Sequence, residues 1–139
     1  MNRLTFLSHF VICLACAGSS FFAWQRGVFQ TIYVNDASMM TSAIAALFVV
    51  TAFWLGFQTW RDDGGDASFG HLAEGLAVRL GLIGTGIGII LTIKASLASA
   101  NPLAALQTAF FSMICGVAAS SIIAVMTFSL ESGIARARR

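Results

Sequence analysis

His9, Cys13 and Cys16 are spaced four and three apart, so one face of a helix would present an imidazole and two thiols. Such a set suits a soft or borderline metal, but a structural site takes four well-oriented ligands. The two cysteines are therefore read as small packing residues beside His9, a histidine near the end of a membrane helix, without metal. Cys115 also lies in an apolar run, so the cysteines form no disulfide framework. Asp62, Asp63 and Asp66 gather carboxylates but lack the remaining ligands of a calcium loop, and they read as a solvated acidic turn. His71 has no nucleophile or paired-carboxylate motif beside it. It reads as a solvated residue where a helix starts, and no covalent enzyme chemistry is expected of the chain.

The richer pattern uses hydroxyls and glycines. Gly81, Thr85, Gly88 and Thr92 recur at spacings of four, three and four, which puts them on one helical face. Further on, Ala105, Thr108, Ser112, Cys115, Gly116 and Ala119 form a similar stripe, with Phe110, Phe111, Ile114 and Ile122 largely off it. Small residues let membrane helices approach closely, and a buried hydroxyl can bond a neighbouring carbonyl. The same faces, repeated around a ring of subunits, would line a pore with hydroxyls and exposed backbone. Spacing alone leaves both readings open.

The elements that must position these residues follow from composition. Of 139 residues, 58% are hydrophobic and 10% charged, and the mean hydropathy is +0.84. Soluble domains carry about 25% charged residues, so this chain cannot cover a water-soluble fold, and a nucleic-acid partner is not expected. A bilayer core of about 30 Å needs roughly 20 apolar residues. Residues 4–24, 37–60, 80–98 and 103–130 supply four such spans, with no Asp, Glu or Arg inside any of them and Lys94 near the end of the third. The fourth is longer than one crossing requires, so it tilts or projects into water. Trp24, Trp54, Trp60 and Tyr33 sit mostly near span ends, as an aromatic belt would.

Four spans put both termini on one side. Arg3, Arg61, Arg79, Arg136, Arg138 and Arg139 fall on the terminal side and only Arg26 and Lys94 opposite, which places both termini in the cytoplasm by the positive-inside rule. The terminal arginines would serve as topology anchors or contact anionic lipid headgroups. The first span reads as a signal anchor, since Cys13 stands where a lipoprotein signal before Cys16 would carry a larger aliphatic residue. Residues 61–79 read as a glycine-rich cytoplasmic turn and a helical extension. In that extension Phe69, Leu72 and Leu76 share one face, and the third helix begins near Ser68 or Phe69. Asn101-Pro102 supplies a short opposite hairpin, with Pro102 in the first turn of the fourth helix.

Residues 80–90, LGLIGTGIGII, followed by 105–121, ALQTAFFSMICGVAASS, resemble the paired pore helices of the MotA/TolQ/ExbB proton-channel family. That family carries a GLxGTxxGI-like segment in one helix and a small, hydroxyl-rich segment in the next. The likeness covers about half the chain, 69–130. This chain departs from it at Val78-Arg79-Leu80, where a proline is common, and in its reduced cytoplasmic part.

The resemblance implies an all-α, four-span protein of the bacterial inner membrane, forming a homopentameric ring. The ring would enclose a MotB/TolR/ExbD-like single-span partner, as a dimer, whose aspartate exchanges the translocated ion, a proton or sodium. No bound cofactor is implied. Thr85 matches the threonine of the first motif. In the second motif, Ser112 is the nearest hydroxyl when Gly116 is the anchor and Thr108 when Ala105-Leu106 is. Thr92 would extend the pathway, and Gly81, Gly88 and Gly116 would permit close approach. Two other classes suit a small, charge-poor membrane protein: a self-assembling, holin-like lytic pore, and a passive scaffold.

Overall fold

The computed structural model describes residues 3–30, 39–60, 66–97 and 102–137. Tyr33, Arg61, Asp62, Asp63, Asn101, Arg138 and Arg139 lie outside them, as do the side chains of Arg3, Ala105 and Thr108. The described chain is all-helical. Helix α1 spans Arg3–Gln25, α2 Met40–Trp60, α3 Ser68–Leu97 and α4 Pro102–Ala137. All four are long and apolar enough to cross a membrane, which fits a multi-pass membrane protein. Helices suit that setting because every backbone N–H and C=O then finds its partner within the segment.

Local chemistry fixes the ends. After α1, Gly27 takes a left-handed φ of 69° and its N–H donates to the Trp24 carbonyl at 3.0 Å, a glycine stop. Asp66 caps α3, accepting the Ser68 N–H at 2.9 Å and the Ser68 hydroxyl at 2.7 Å. Those two bonds hold its carboxyl below the usual carboxylate range. Helix α4 begins at Pro102, whose fixed φ and missing N–H cost nothing in a first turn.

Helices α3 and α4 form a long antiparallel pair, and α1 and α2 pack against one end of it. The heights follow from specific contacts. Met40, at the start of α2, lies against Gly84, while Trp54 stacks near Phe69 with ring centroids 5.7 Å apart. Thr5, at the start of α1, meets Gly133, and Ser8 bonds Ser129. The apolar stretch of α2 therefore runs beside residues 69–84. The helical part of the extension read from 61–79 lies alongside α2. Beyond Gly84, α3 continues 13 residues past α2, about 20 Å at 1.5 Å per residue.

The four-helix end is polar inside and apolar outside. Leu55, Met126 and Leu130 form a small apolar cluster, with Ile12, Cys13, Phe48 and Ile134 around it. Thr5, His9, Thr51, Gln58, Thr59 and Thr127 are all buried. Phe10, Leu14, Phe53, Phe57, Trp60 and Phe128 face outward. Lipid tolerates that arrangement and water does not, because the exposed rings meet acyl chains, while inside the Thr51 and Thr59 hydroxyls donate to the Leu47 and Gly56 carbonyls of their own helix. The Ser8 and Ser129 hydroxyls lie 2.6 Å apart and tie α1 to α4. Ser129→Ala is expected to lower stability by about 0.6 kcal/mol, the average for such membrane bonds, measured as unfolding free energy in mixed micelles.

Candidate functional site

The two small-residue faces read from the sequence meet each other. A Cβ built on Gly81 would lie 3.1 Å from the Ser112 carbonyl oxygen and 3.2 Å from Gly116 Cα. One on Gly116 would lie 2.8 Å from the Ala77 oxygen and 2.9 Å from Gly81 Cα. One on Gly88 would fall 2.7 Å from both Cα and N of Ala109. All three glycines are buried, and they let the α3 and α4 backbones run closer than any side chain permits. Close packing within one chain is what these positions do here.

The hydroxyls divide into two groups. Ser112 is fully buried and donates back to the Ala109 carbonyl at 3.1 Å, with Gly84 cleared to receive its side chain. Thr85 is half-buried at the edge of the pair. Its hydroxyl proton is shared between the Gly81 carbonyl at 2.8 Å and the Ala109 carbonyl at 3.2 Å, so it bonds across the helices. Thr92, also half-buried, donates to the Gly88 carbonyl at 2.8 Å, and the Ser96 hydroxyl to the Thr92 carbonyl at 3.0 Å. Each donor is spent on a carbonyl. What these hydroxyls offer a visitor is a lone pair, which suits a cation or a protic donor.

His71, Val78, Thr85 and Thr92 recur every seven residues, so they rise along one side of α3, with Glu74 and Ser96 beside the line. At its lower end His71 Nε2 lies 2.8 Å from Glu131 of α4, and Nδ1 lies 3.8 Å from Glu74. The sequence alone gave no sign of this contact, because its partners are sixty residues apart. Glu131 holds the start of α3 against the last turns of α4.

Three glycines not singled out by spacing also matter. Gly84 makes room for Ser112 and Met40, and Gly70 for Thr127. Gly86, inside the GLIGTGIG segment, points away from the bundle with nothing within 4 Å of a Cβ. An exposed helical glycine costs about 1 kcal/mol relative to alanine, a cost that close approach by another helix would offset. His9 and Cys13 do not converge on a common ligand: His9 turns to the Ala52 carbonyl at 3.2 Å and Cys13 joins the apolar cluster. Among the described residues no three His, Cys, Asp or Glu side chains are grouped to hold a metal ion.

No family model matches the chain, and no curated protein or solved structure is significantly similar to it.

Proposed function

We propose that this protein is the pore-forming subunit of a proton- or ion-driven molecular motor, with α3 and α4 as its channel-side pair. The observation that carries the reading is Thr85. It sits in the GLIGTGIG segment, half-buried, its proton committed to two carbonyls and its lone pairs left for a passing ion. The four spans read from the sequence contain no carboxylate, so the ion-exchanging acid comes from a second chain. That partner is a single-span protein with an aspartate in its membrane segment. The ring is a homopentamer in a bacterial inner membrane, both termini are cytoplasmic, and the ion is a proton or sodium. Thr92 extends the path, and either Ser112 or Thr108 is its second hydroxyl.

The test is native mass spectrometry of the detergent-solubilised protein, produced alone and with the product of the adjacent reading frame. A ring that captures a sub-stoichiometric single-span partner is the expected result. Large heterogeneous assemblies that permeabilise membranes without a partner would instead establish a lytic pore. Gly86→Leu is expected to leave the chain folded, because a Cβ there has nothing within 4 Å among the described residues, and to cut ring or partner capture about tenfold, about 1.4 kcal/mol of association free energy. The same spectra read that change.

A passive scaffold is the second reading. It is favoured by the satisfaction of Gly81, Gly88, Gly116 and Ser112 inside one chain, where packing alone accounts for them.

A further inference from the structure

His9 is an ionisable side chain in the interior of the bundle that the pore reading does not use. It is 6% exposed. Its ring lies over Gly56 of α2, where a Cβ would come within 3.1 Å of Nε2, so α2 is cleared for the imidazole. Nε2 is 3.2 Å from the Ala52 carbonyl oxygen. A carbonyl only accepts, so Nε2 carries the proton, and in the neutral ring Nδ1 is a bare lone pair. That lone pair is buried and finds no partner among the described residues. An orphaned buried acceptor is costly, and a ring placed for packing alone has no use for one.

The surroundings are polar without holding a permanent charge. Thr5 lies one turn earlier on the same face of α1, is buried and packs against Gly133 of α4. Ser8 and Ser129 bond each other across α1 and α4 beside it. From α2, Gln58 and Thr59 are buried in the same end of the bundle. Among the described residues no charged side chain is buried there. Glu131 and Arg136, on that part of α4, are exposed, and Glu131 is engaged by His71. Cys13, one turn later on α1, is half-buried in the apolar cluster.

We propose that Nδ1 of His9 is a proton-accepting site inside the bundle of each chain, at the end where α1 begins. A proton delivered by water adds to the lone pair and gives an imidazolium whose Nε2–H still donates to Ala52. Release to water restores the neutral ring. The site belongs to the single chain and depends on neither ring nor partner, so it stands or falls separately from the pore reading.

The experiment is 15N spectroscopy of histidine-labelled full-length protein in lipid bilayers, across pH 4–9. The chain has two histidines, so His71→Asn leaves His9 alone. Should that variant not fold, a water-soluble paramagnetic quencher on the native protein broadens exposed His71 and spares His9. The expected result is reversible protonation of Nδ1 as the pH is lowered across that range, with helicity unchanged. A neutral ring throughout, with or without a bound water at Nδ1, would overturn the proposal, as would protonation that occurs only as the helices unfold. His9→Gln, which keeps an N–H for Ala52 but has no titratable nitrogen, is expected to fold and to remove the quencher-protected, pH-dependent signal, leaving that of exposed His71.

Discussion

Gly88→Leu is expected to pull the α3–α4 pair apart and leave little monodisperse protein. The contact that matters is with backbone. A Cβ at 88 would lie 2.6 Å from the Ala109 Cβ and 2.7 Å from its Cα and N, none of which can rotate away. Even Gly88→Ala forces the helices apart locally, and overpacking of this kind costs about 1–3 kcal/mol. Leucine adds three more carbons to the same gap. The consequence spreads, because Gly81 and Gly116 interlock two turns away and Thr85 reaches Ala109 across the same interface. Separating the backbones at Gly88 therefore also removes the Thr85 crossing bond. Gly18→Ala is the control, since a Cβ there meets nothing. Resistance to unfolding in mixed micelles should fall for Gly88→Ala, collapse for Gly88→Leu and hold for Gly18→Ala.

Thr85→Val is expected to lower ion-driven work by about tenfold or more, about 1.4 kcal/mol of added barrier, while the assembly stays intact. Valine has nearly threonine's shape, so packing survives. What it removes is the hydroxyl that binds the Gly81 and Ala109 carbonyls and presents lone pairs at the edge of the pair. The structural loss is small, because interhelical membrane hydrogen bonds average about 0.6 kcal/mol. Thr85→Ser keeps the oxygen and should retain most activity. Flux measured in vesicles containing the chain and its partner separates the two roles. Full activity of Thr85→Val would show that the Thr85 hydroxyl takes no part in the ion path and serves packing alone.

The four helices and their chemistry were legible because length and hydropathy are local properties. Residues 4–24 and 37–60 contain no charge, and the helices found, Arg3–Gln25 and Met40–Trp60, keep close to them. The start of α3 at Ser68 was legible from the change of pattern at Phe69, and the start of α4 from Pro102. Helix α4 runs on to Ala137, past the apolar span ending at residue 130, because its last turns are held by Gly133 against Thr5 and by Glu131 with His71. Those contacts cross more than fifty residues of sequence, and no periodicity within α4 announces them.

The candidate site was legible as a set of residues but not as a geometry. A spacing of four, three and four puts Gly81, Thr85, Gly88 and Thr92 on one side of α3. It does not separate positions pressed into α4 from those at the rim of the contact. The contact line falls on Gly81, Gly84 and Gly88, which leaves Thr85 and Thr92 half-buried beside it and turns Gly86 outward. In the sequence His9 stands at helical spacing from Cys13 and Cys16, which offers only a metal face or small packing residues beside a histidine. Its real surroundings are Ala52 and Gly56, more than forty residues away.

By itself the sequence determined that this is an all-helical chain with four membrane-length helices, two of which carry faces of glycine and hydroxyl residues. Apolar length and residue size are enough to decide that, since a bilayer demands about 20 apolar residues per crossing and small residues permit close approach. Only the tertiary structure decided the height at which the helices meet, with α2 beside residues 69–84 and, among the described residues, the α3–α4 pair continuing beyond it. It alone decided which hydroxyls are spent inside the pair and which nitrogen of His9 is left without a partner. The physical reason is that helix register is set by a few non-local contacts, Met40 on Gly84, Trp54 on Phe69 and Ser8 on Ser129, whose energies depend on shape matching between segments distant in the chain.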